Sequence, residues 1–236
     1  MSVPRIISSF FPDAANADSC PGRLYTDHIT LDLLKAAYWN GYFPWPDPSA
    51  EKIPWCAPRG RGMIPLELFH IPHTVKRLIH KNVFELRIDT VFEDVIRACA
   101  TVPRAEGDTW ITPEIIQAYT EFHHAGWAHS FEAWNRETNT LAGGLYGVSI
   151  GKIFAGESMF YRESGASKFA LAMLGQVLKK LGVVLLDTQM VTPTTELFGA
   201  EYYDGRSYLE ILPSLRGDPL TTQDLRNALK DLQVQK

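Results

Sequence analysis

The chain is short of cysteine, of net charge and of long apolar runs. Its three cysteines, Cys20, Cys56 and Cys99, form no Cys-x-x-Cys pair and no Cys/His cluster with zinc-ligand spacing, so a zinc site is not expected. An odd, sparse set suits a reducing compartment, with the thiols read as small buried apolar groups. No segment approaches the roughly 18 apolar residues of a membrane span. The start, Met1-Ser-Val-Pro-Arg-Ile-Ile-Ser-Ser-Phe-Phe11, lacks the apolar centre of a signal peptide. The expectation is a cytoplasmic protein with no membrane partner. The net charge of −4 excludes a generic polyanion binder, so any nucleic-acid contact must use a local basic patch.

What is present is ordinary globular material, 45% hydrophobic and 21% charged over 236 residues, enough for one large domain or a medium one plus a small one. Residues 1–29 are broken by Pro4, Pro12, Pro21 and Gly22. Thr30 is placed to cap a helix reaching Asn40, with Gly41 as its stop. The prolines and tryptophans of Gly41–Pro48 and Ile53–Pro58 predict rigid extended chain. A domain junction is expected near residues 58–63, dividing a small N-terminal domain, 1–60, from a catalytic domain, 61–236.

Beyond the junction, 72–81 reads as a short basic helix. Thr90-Val-Phe-Glu93 has the capping-box pattern, and Thr112-Pro113 opens a further helix that ends at Gly126. Three strand-like runs, 128–134, 141–150 and 152–160, predict an antiparallel meander. A long helix over 165–181 follows, then a buried strand over 183–190, a short helix at 193–198, a last strand at Tyr208–Leu212 and a tail helix after Thr221. Strands first in a meander, then strand–helix–strand, indicate an α+β sheet domain.

Five features could carry chemistry. Glu157, in Gly156-Glu-Ser-Met-Phe160, ends an apolar strand beside a glycine that permits close approach of a ligand; its bland reading is an exposed strand-end carboxylate. Asp187 and Gln189 form an abrupt polar pair in the core strand Leu185–Met190, and strand alternation predicts that they share a face. Buried, such a pair must be hydrogen-bonded or it costs about 1–3 kcal/mol. Tyr161–Lys168 joins strand to helix and, with Arg162 and Lys168, nearly matches the loop that holds the pyrophosphate of coenzyme A in acetyltransferases, although Ser167 stands where Gly or Ala is expected. Residues 59–87 hold an excess of four positive charges, through Arg59, Arg61, Lys76, Arg77, Lys81 and Arg87, which reads either as a solvated face or as a phosphate-binding patch. Trp45, after Phe43-Pro44, and Trp110, in Gly107-Asp-Thr-Trp110, read by default as core tryptophans, while their loop setting near proline or glycine suggests stacking on a base or ring.

Taken in order, Gly41-Tyr-Phe-Pro-Trp45, Gly107-Asp-Thr-Trp-Ile-Thr112, Gly143-Gly-Leu-Tyr-Gly-Val148, Gly156-Glu-Ser-Met-Phe160, Ala166-Ser-Lys168, Asp187-Thr-Gln189 and Phe198-Gly-Ala200 resemble the leucyl/phenylalanyl-tRNA–protein transferase family. The resemblance implies a small N-terminal domain and a C-terminal mixed sheet of the acyl-CoA N-acyltransferase (GNAT) type. It implies an enzyme that moves Leu, Phe or Met from aminoacyl-tRNA to the N-terminal Arg or Lys of acceptor proteins, marking them for degradation by the N-degron route. No cofactor, metal or DNA partner is implied. By position, Asp187 and Gln189 match the catalytic relay, and Glu157 the residue that meets the acceptor's basic side chain or amine. Trp45 and Trp110 match the rings near the terminal adenosine, and Leu145, Phe154, Met159 and Leu186 the amino-acid pocket. Lys76, Arg77 and Lys81 are the expected tRNA contacts. Tyr25–Thr30 and Val191–Thr195 depart from the family's usual pattern. The alternatives are a CoA-dependent N-acetyltransferase and a catalytically inactive aminoacyl-tRNA-binding homologue.

Overall fold

The computed structural model of the protein describes residues 10–11, 24–46, 51–102 and 109–234. Two sheets organise it. A small antiparallel sheet holds β1 (Leu24–Thr26), β2 (Phe43–Pro44) and β3 (Ile53–Cys56) in the order β1-β3-β2. A seven-stranded sheet holds β4 (Gly60–Pro65), β5 (Phe84–Ile88), β6 (Ala128–Asn135), β7 (Leu141–Ile150), β8 (Ile153–Tyr161), β9 (Leu185–Gln189) and β10 (Glu201–Asp204), in the order β10-β4-β9-β8-β7-β6-β5. Its pairs are antiparallel except β8–β9, which is parallel.

A parallel pair requires a crossover. One apolar helix of the sequence supplies it between β8 and β9. That helix ends at Gly182, in the left-handed region that glycine accepts without strain. The helices in chain order are α1 (Leu31–Trp39), α2 (His73–His80), α3 (Phe92–Ala100), α4 (Pro113–His124), α5 (Ala166–Lys180, the crossover), α6 (Pro193–Glu196), α7 (Gly205–Leu215) and α8 (Thr222–Val234). The α+β class and the mixed sheet are as the sequence leads one to expect. The caps at Thr30 and Thr112 form: their hydroxyls accept the N–H groups of Leu33 and Ile115.

Other expectations fail for identifiable reasons. The capping box at Thr90 does not form, because the Thr90 N–H and hydroxyl are both donated to the buried carboxylate of Glu132. Tyr208–Leu212 is not a strand but part of α7. Asp204 caps that helix by accepting the Arg206 N–H, and Tyr208, Leu209 and Leu212 are buried at helical spacing. Strands β1, β4, β5 and β10 were not legible as strands; each is six residues or fewer. Cys99 is buried, as a small apolar group would be. Cys56 is buried but disulfide-bonded, which a cysteine without a spacing motif does not announce.

Apolar side chains fill both faces of the large sheet. One core gathers α1, α3, α4 and the small sheet, through residues such as Leu34, Trp55, Ile96, Tyr119 and Val148. The other gathers α2, α5 and α8, through Val75, Phe169, Leu174 and Leu225. The small sheet therefore shares a core with the large one. Among the described residues no helix is long and apolar enough to cross a membrane, and no group of three His, Cys, Asp or Glu side chains is placed to hold a metal ion.

Candidate active site

Two β-bulges shape the centre of the large sheet. In the β7–β8 ladder Tyr146 faces Ser158 while Gly147 faces Gly156, which leaves Glu157 as the extra residue of β8. In the β4–β9 ladder Gly62 faces Gln189 while Met63 faces Asp187, which leaves Thr188 as the extra residue of β9. The parallel β8–β9 ladder stops at Ala155 and Asp187, just before both bulges. A bulge bends its strand and re-aims a side chain. Two bulges at the end of one ladder let the strands diverge, and a cavity of about 260 Å³ opens there.

Each bulge is faced by a glycine for a steric reason. A Cβ on Gly147 would lie 2.3 Å from both the Ala155 carbonyl oxygen and the Phe154 ring, and one on Gly62 would lie 2.5 Å from the Met190 carbonyl carbon. Gln189 itself sits in the left-handed region, at φ 54°. A non-glycine residue held there costs of order 1–3 kcal/mol and persists where its surroundings fix it.

Asp187 supplies that fixing. It is fully buried, and its Oδ1 accepts the backbone N–H of Gln189 at 3.0 Å. The same carboxylate is gripped by Arg61: Nε donates to Oδ1 and Oδ2 at 3.0 and 3.1 Å, and a terminal nitrogen to Oδ2 at 2.6 Å. The other terminal nitrogen donates to the Gly41 carbonyl at 2.6 Å, and the guanidinium lies 4.2 Å over the Tyr208 ring. Burial opposes the charge on Arg61, but Asp187, Tyr208 and Glu157 together outweigh it and hold the guanidinium above its usual pKa. Arg61 thus ties the N-terminal segment, β4, β9 and α7 to one carboxylate.

The Gln189 side chain points elsewhere. Its Nε2 donates to Glu157 Oε1 at 3.0 Å, which leaves its own carbonyl oxygen as an acceptor. Burial pushes the Glu157 carboxyl up to about 8; the nearby Asp187 adds to this, while bonds from Tyr38 and Gln189 and the charge of Arg61 oppose it. Tyr38 and Tyr119, buried behind Glu157, have hydroxyls 2.5 Å apart. Burial and the neighbouring Glu157 raise both phenols, so they remain protonated donors.

Of the residues expected at the site, Trp45, Trp110, Leu145, Glu157, Met159, Leu186 and Gln189 all line the cavity. Trp45 and Trp110 form its aromatic wall, stacked on each other with centroids 5.5 Å apart and planes 16° apart. Two expected residues do not line it. Phe154 is fully buried beneath the floor, edge-on to Phe131. Asp187 faces Arg61 because the bulge at Thr188 breaks the alternation that would put it on the face of Gln189. Lys76 and Arg77 are exposed on α2 and Lys81 caps its end, all outside the cavity lining. Arg61, counted with them on sequence, is only 2% exposed and leaves that patch.

Sequence reading missed four kinds of contributor. Leu171 and Leu174 of α5 extend the apolar wall, and Thr188, Thr192, Thr194 and Thr195 form a hydroxyl-bearing side. The last three lie in Val191–Thr195. Tyr38 and Tyr119 sit on helices, where a tyrosine in the sequence does not distinguish apolar packing from a buried donor. Arg61 had one available signal, the Gly60-Arg61-Gly62 sandwich, which suits a backbone pressed by another strand. The strand–helix turn at Arg162 is largely satisfied internally: the Arg162 and Glu163 N–H groups both donate to Ala142 O, and the Arg162 guanidinium donates to Leu141 O. That leaves little of it for a pyrophosphate.

Comparisons with known proteins identify the family. The family model described as leucyl/phenylalanyl-tRNA protein transferase matches residues 63–213, and the model of that family's N-terminal domain matches residues 27–59. A leucyl/phenylalanyl-tRNA–protein transferase of Akkermansia muciniphila is 44% identical over 79% of this chain and 95% of its own length. The Salinibacter ruber protein of the same name is 49% identical over 73% of this chain and 74% of its own. Among solved structures, that of L-PGS from Bacillus licheniformis overlays with a TM-score of 0.39 at 11% identity, covering 83% of this chain and 65% of that one, a likeness too distant to carry an argument.

Proposed function

Because the chain belongs to the leucyl/phenylalanyl-tRNA protein transferase family, an enzyme family that moves aminoacyl groups from tRNA to proteins, we propose how its cavity performs that transfer. The observation that carries the reading is the cavity's division of labour. It has an apolar end of Leu145, Met159, Leu171, Leu174 and Leu186, a paired indole wall, and a polar end of Glu157 and Gln189. The apolar end takes the Leu, Phe or Met side chain. The exposed part of the indole pair stacks on the terminal adenosine, a contact worth about 1–3 kcal/mol per base. The polar end receives the acceptor's amine. Lys76, Arg77 and Lys81 are assigned to the tRNA backbone, where phosphate contacts position without reading sequence.

The chemistry asks for placement more than force. An aminoacyl ester is already activated, and an α-amine of pKa about 7.7–8.0 costs only ~1 kcal/mol to deprotonate at pH 7. Orientation contributes more, about 7–11 kcal/mol in favourable cases. Gln189 is therefore the orienting group: its carbonyl oxygen accepts an N–H of the amine while its Nε2 stays anchored to Glu157. Asp187 acts one step back, through the Gln189 backbone. An incoming cation would favour the ionised form of the Glu157 carboxyl, and that pairing supports acceptors beginning with Arg or Lys, and through them a role in N-degron marking. Aminoacyl-tRNA as donor supports a cytoplasmic setting.

Incubating the protein with radiolabelled leucyl-tRNA and peptides that differ only in their first residue tests this. Label should enter peptides starting with Arg or Lys at least tenfold faster than one starting with Gln, and none should enter from labelled acetyl-CoA. Equal labelling of all three peptides would overturn the acceptor assignment.

A further inference from the structure

Glu157 does more at this site than meet an incoming cation. As the extra residue of the β8 bulge it is turned into the cavity, within hydrogen-bond distance of the Gln189 amide that orients the amine. The ionisable groups around its carboxyl are Tyr38 of α1, Arg61 of β4, Tyr119 of α4, Asp187 of β9 and Tyr208 of α7. None of the others is placed to handle a proton in the cavity. Asp187 does not line it: both its oxygens accept from Arg61, and Oδ1 also takes the Gln189 N–H. Tyr38 and Tyr119 sit behind Glu157 and do not line it either, and the same holds for Arg61 and Tyr208. Gln189 is a neutral amide with no basic lone pair.

Resting on the aminoacyl-transfer reading, we propose that Glu157 is the proton carrier of the reaction: it takes a proton from the attacking nitrogen and returns it to the leaving ribose oxygen. The nitrogen lone pair adds to the ester carbonyl carbon and a C–N bond forms. The nitrogen then carries one proton too many, and this passes to the Glu157 carboxylate. The carbonyl re-forms as the C–O bond to the ribose breaks, and the departing oxygen takes the proton from the Glu157 carboxylic acid. Amine and ester become amide and alcohol, the carboxylate is restored, and no further reactant is consumed. Arg61 is the positioning residue that makes the assignment unique, since it occupies the one competing carboxylate. A carboxyl raised to about 8 is matched to this task, because an acid–base group works best when its pKa lies near the operating pH.

Glu157→Gln keeps the shape and the bond from Gln189 but cannot carry a proton. With leucyl-tRNA and an Arg-starting peptide, kcat should fall by about 10²- to 10⁴-fold, in addition to any rise in the acceptor KM from the lost charge. Below about pH 7 the logarithm of kcat/KM should rise with a slope of about two in the wild type, one deprotonation each for the amine and Glu157, and of about one in the variant. Glu157→Asp, which keeps a carboxyl, should lose rate yet retain the steeper slope. A Glu157→Gln protein with unchanged kcat and a raised KM would make Glu157 a cation clamp and overturn the proposal, as would an unchanged slope. A wild type that transfers nothing from leucyl-tRNA would instead sink the reading on which the proposal rests.

Discussion

Asp187 and Arg61 hold one another in a fully buried pair, and the consequences of breaking it are unequal. Removing one partner of a buried ion pair strands the other charge, which costs about 3–5 kcal/mol. Asp187→Ala should therefore lower stability by that order, measured by urea unfolding, and should also lower turnover sharply as Gln189 loses its backbone anchor. Affinity for aminoacyl-tRNA should stay largely intact, since Asp187 does not line the cavity. A variant as stable as the wild type would contradict the pairing, and one with wild-type kcat would contradict the anchoring. At this scale the sequence was partly readable. Glu157, Asp187 and Gln189 announce themselves as polar residues in apolar strands. Arg61 does not, because a buried arginine and a surface one look alike until the strand that neutralises it, 126 positions away, is in place.

The elements that matter are β7 with β8 and β4 with β9, each pair carrying one bulge faced by one glycine. Gly147→Ala should crowd the Ala155 carbonyl and the Phe154 ring, neither of which has room to retreat within a buried sheet. Overpacking of this kind costs about 1–3 kcal/mol. The denaturation midpoint should fall, and kcat should fall further than stability explains, because the same bulge aims Glu157. A Gly147→Ala protein with native stability and rate would mean that the bulge is not needed. The meander and the crossover helix were legible because strand alternation and an apolar helix bounded by glycines are local signals. The bulges were not, since one extra residue shows only when two strands are laid side by side. The same limit produced the error at Tyr208–Leu212, where buried residues at helical spacing also fit a short strand.

On the scale of the molecule, the N-terminal segment and the large sheet meet at the site rather than merely adjoining. Trp45 comes from beyond β2, Trp110 from the approach to α4 and Tyr38 from α1, and these converge on strands β8 and β9, while Gly41, in the turn after α1, holds Arg61 of β4. Order along the chain made this convergence visible through the resemblance; composition alone, with a charge of −4, would have pointed away from an RNA partner. The cavity between the two bulges is assigned to the aminoacyl end of the donor. A crystal structure with leucyl-adenosine joined by a non-hydrolysable amide tests it most directly. The leucyl side chain is expected against Leu145, Met159 and Leu171, the adenine against Trp45, and the aminoacyl carbonyl beside Gln189. An analogue bound instead in the polar cavity lined by Asp89, Glu93 and His124 would contradict it.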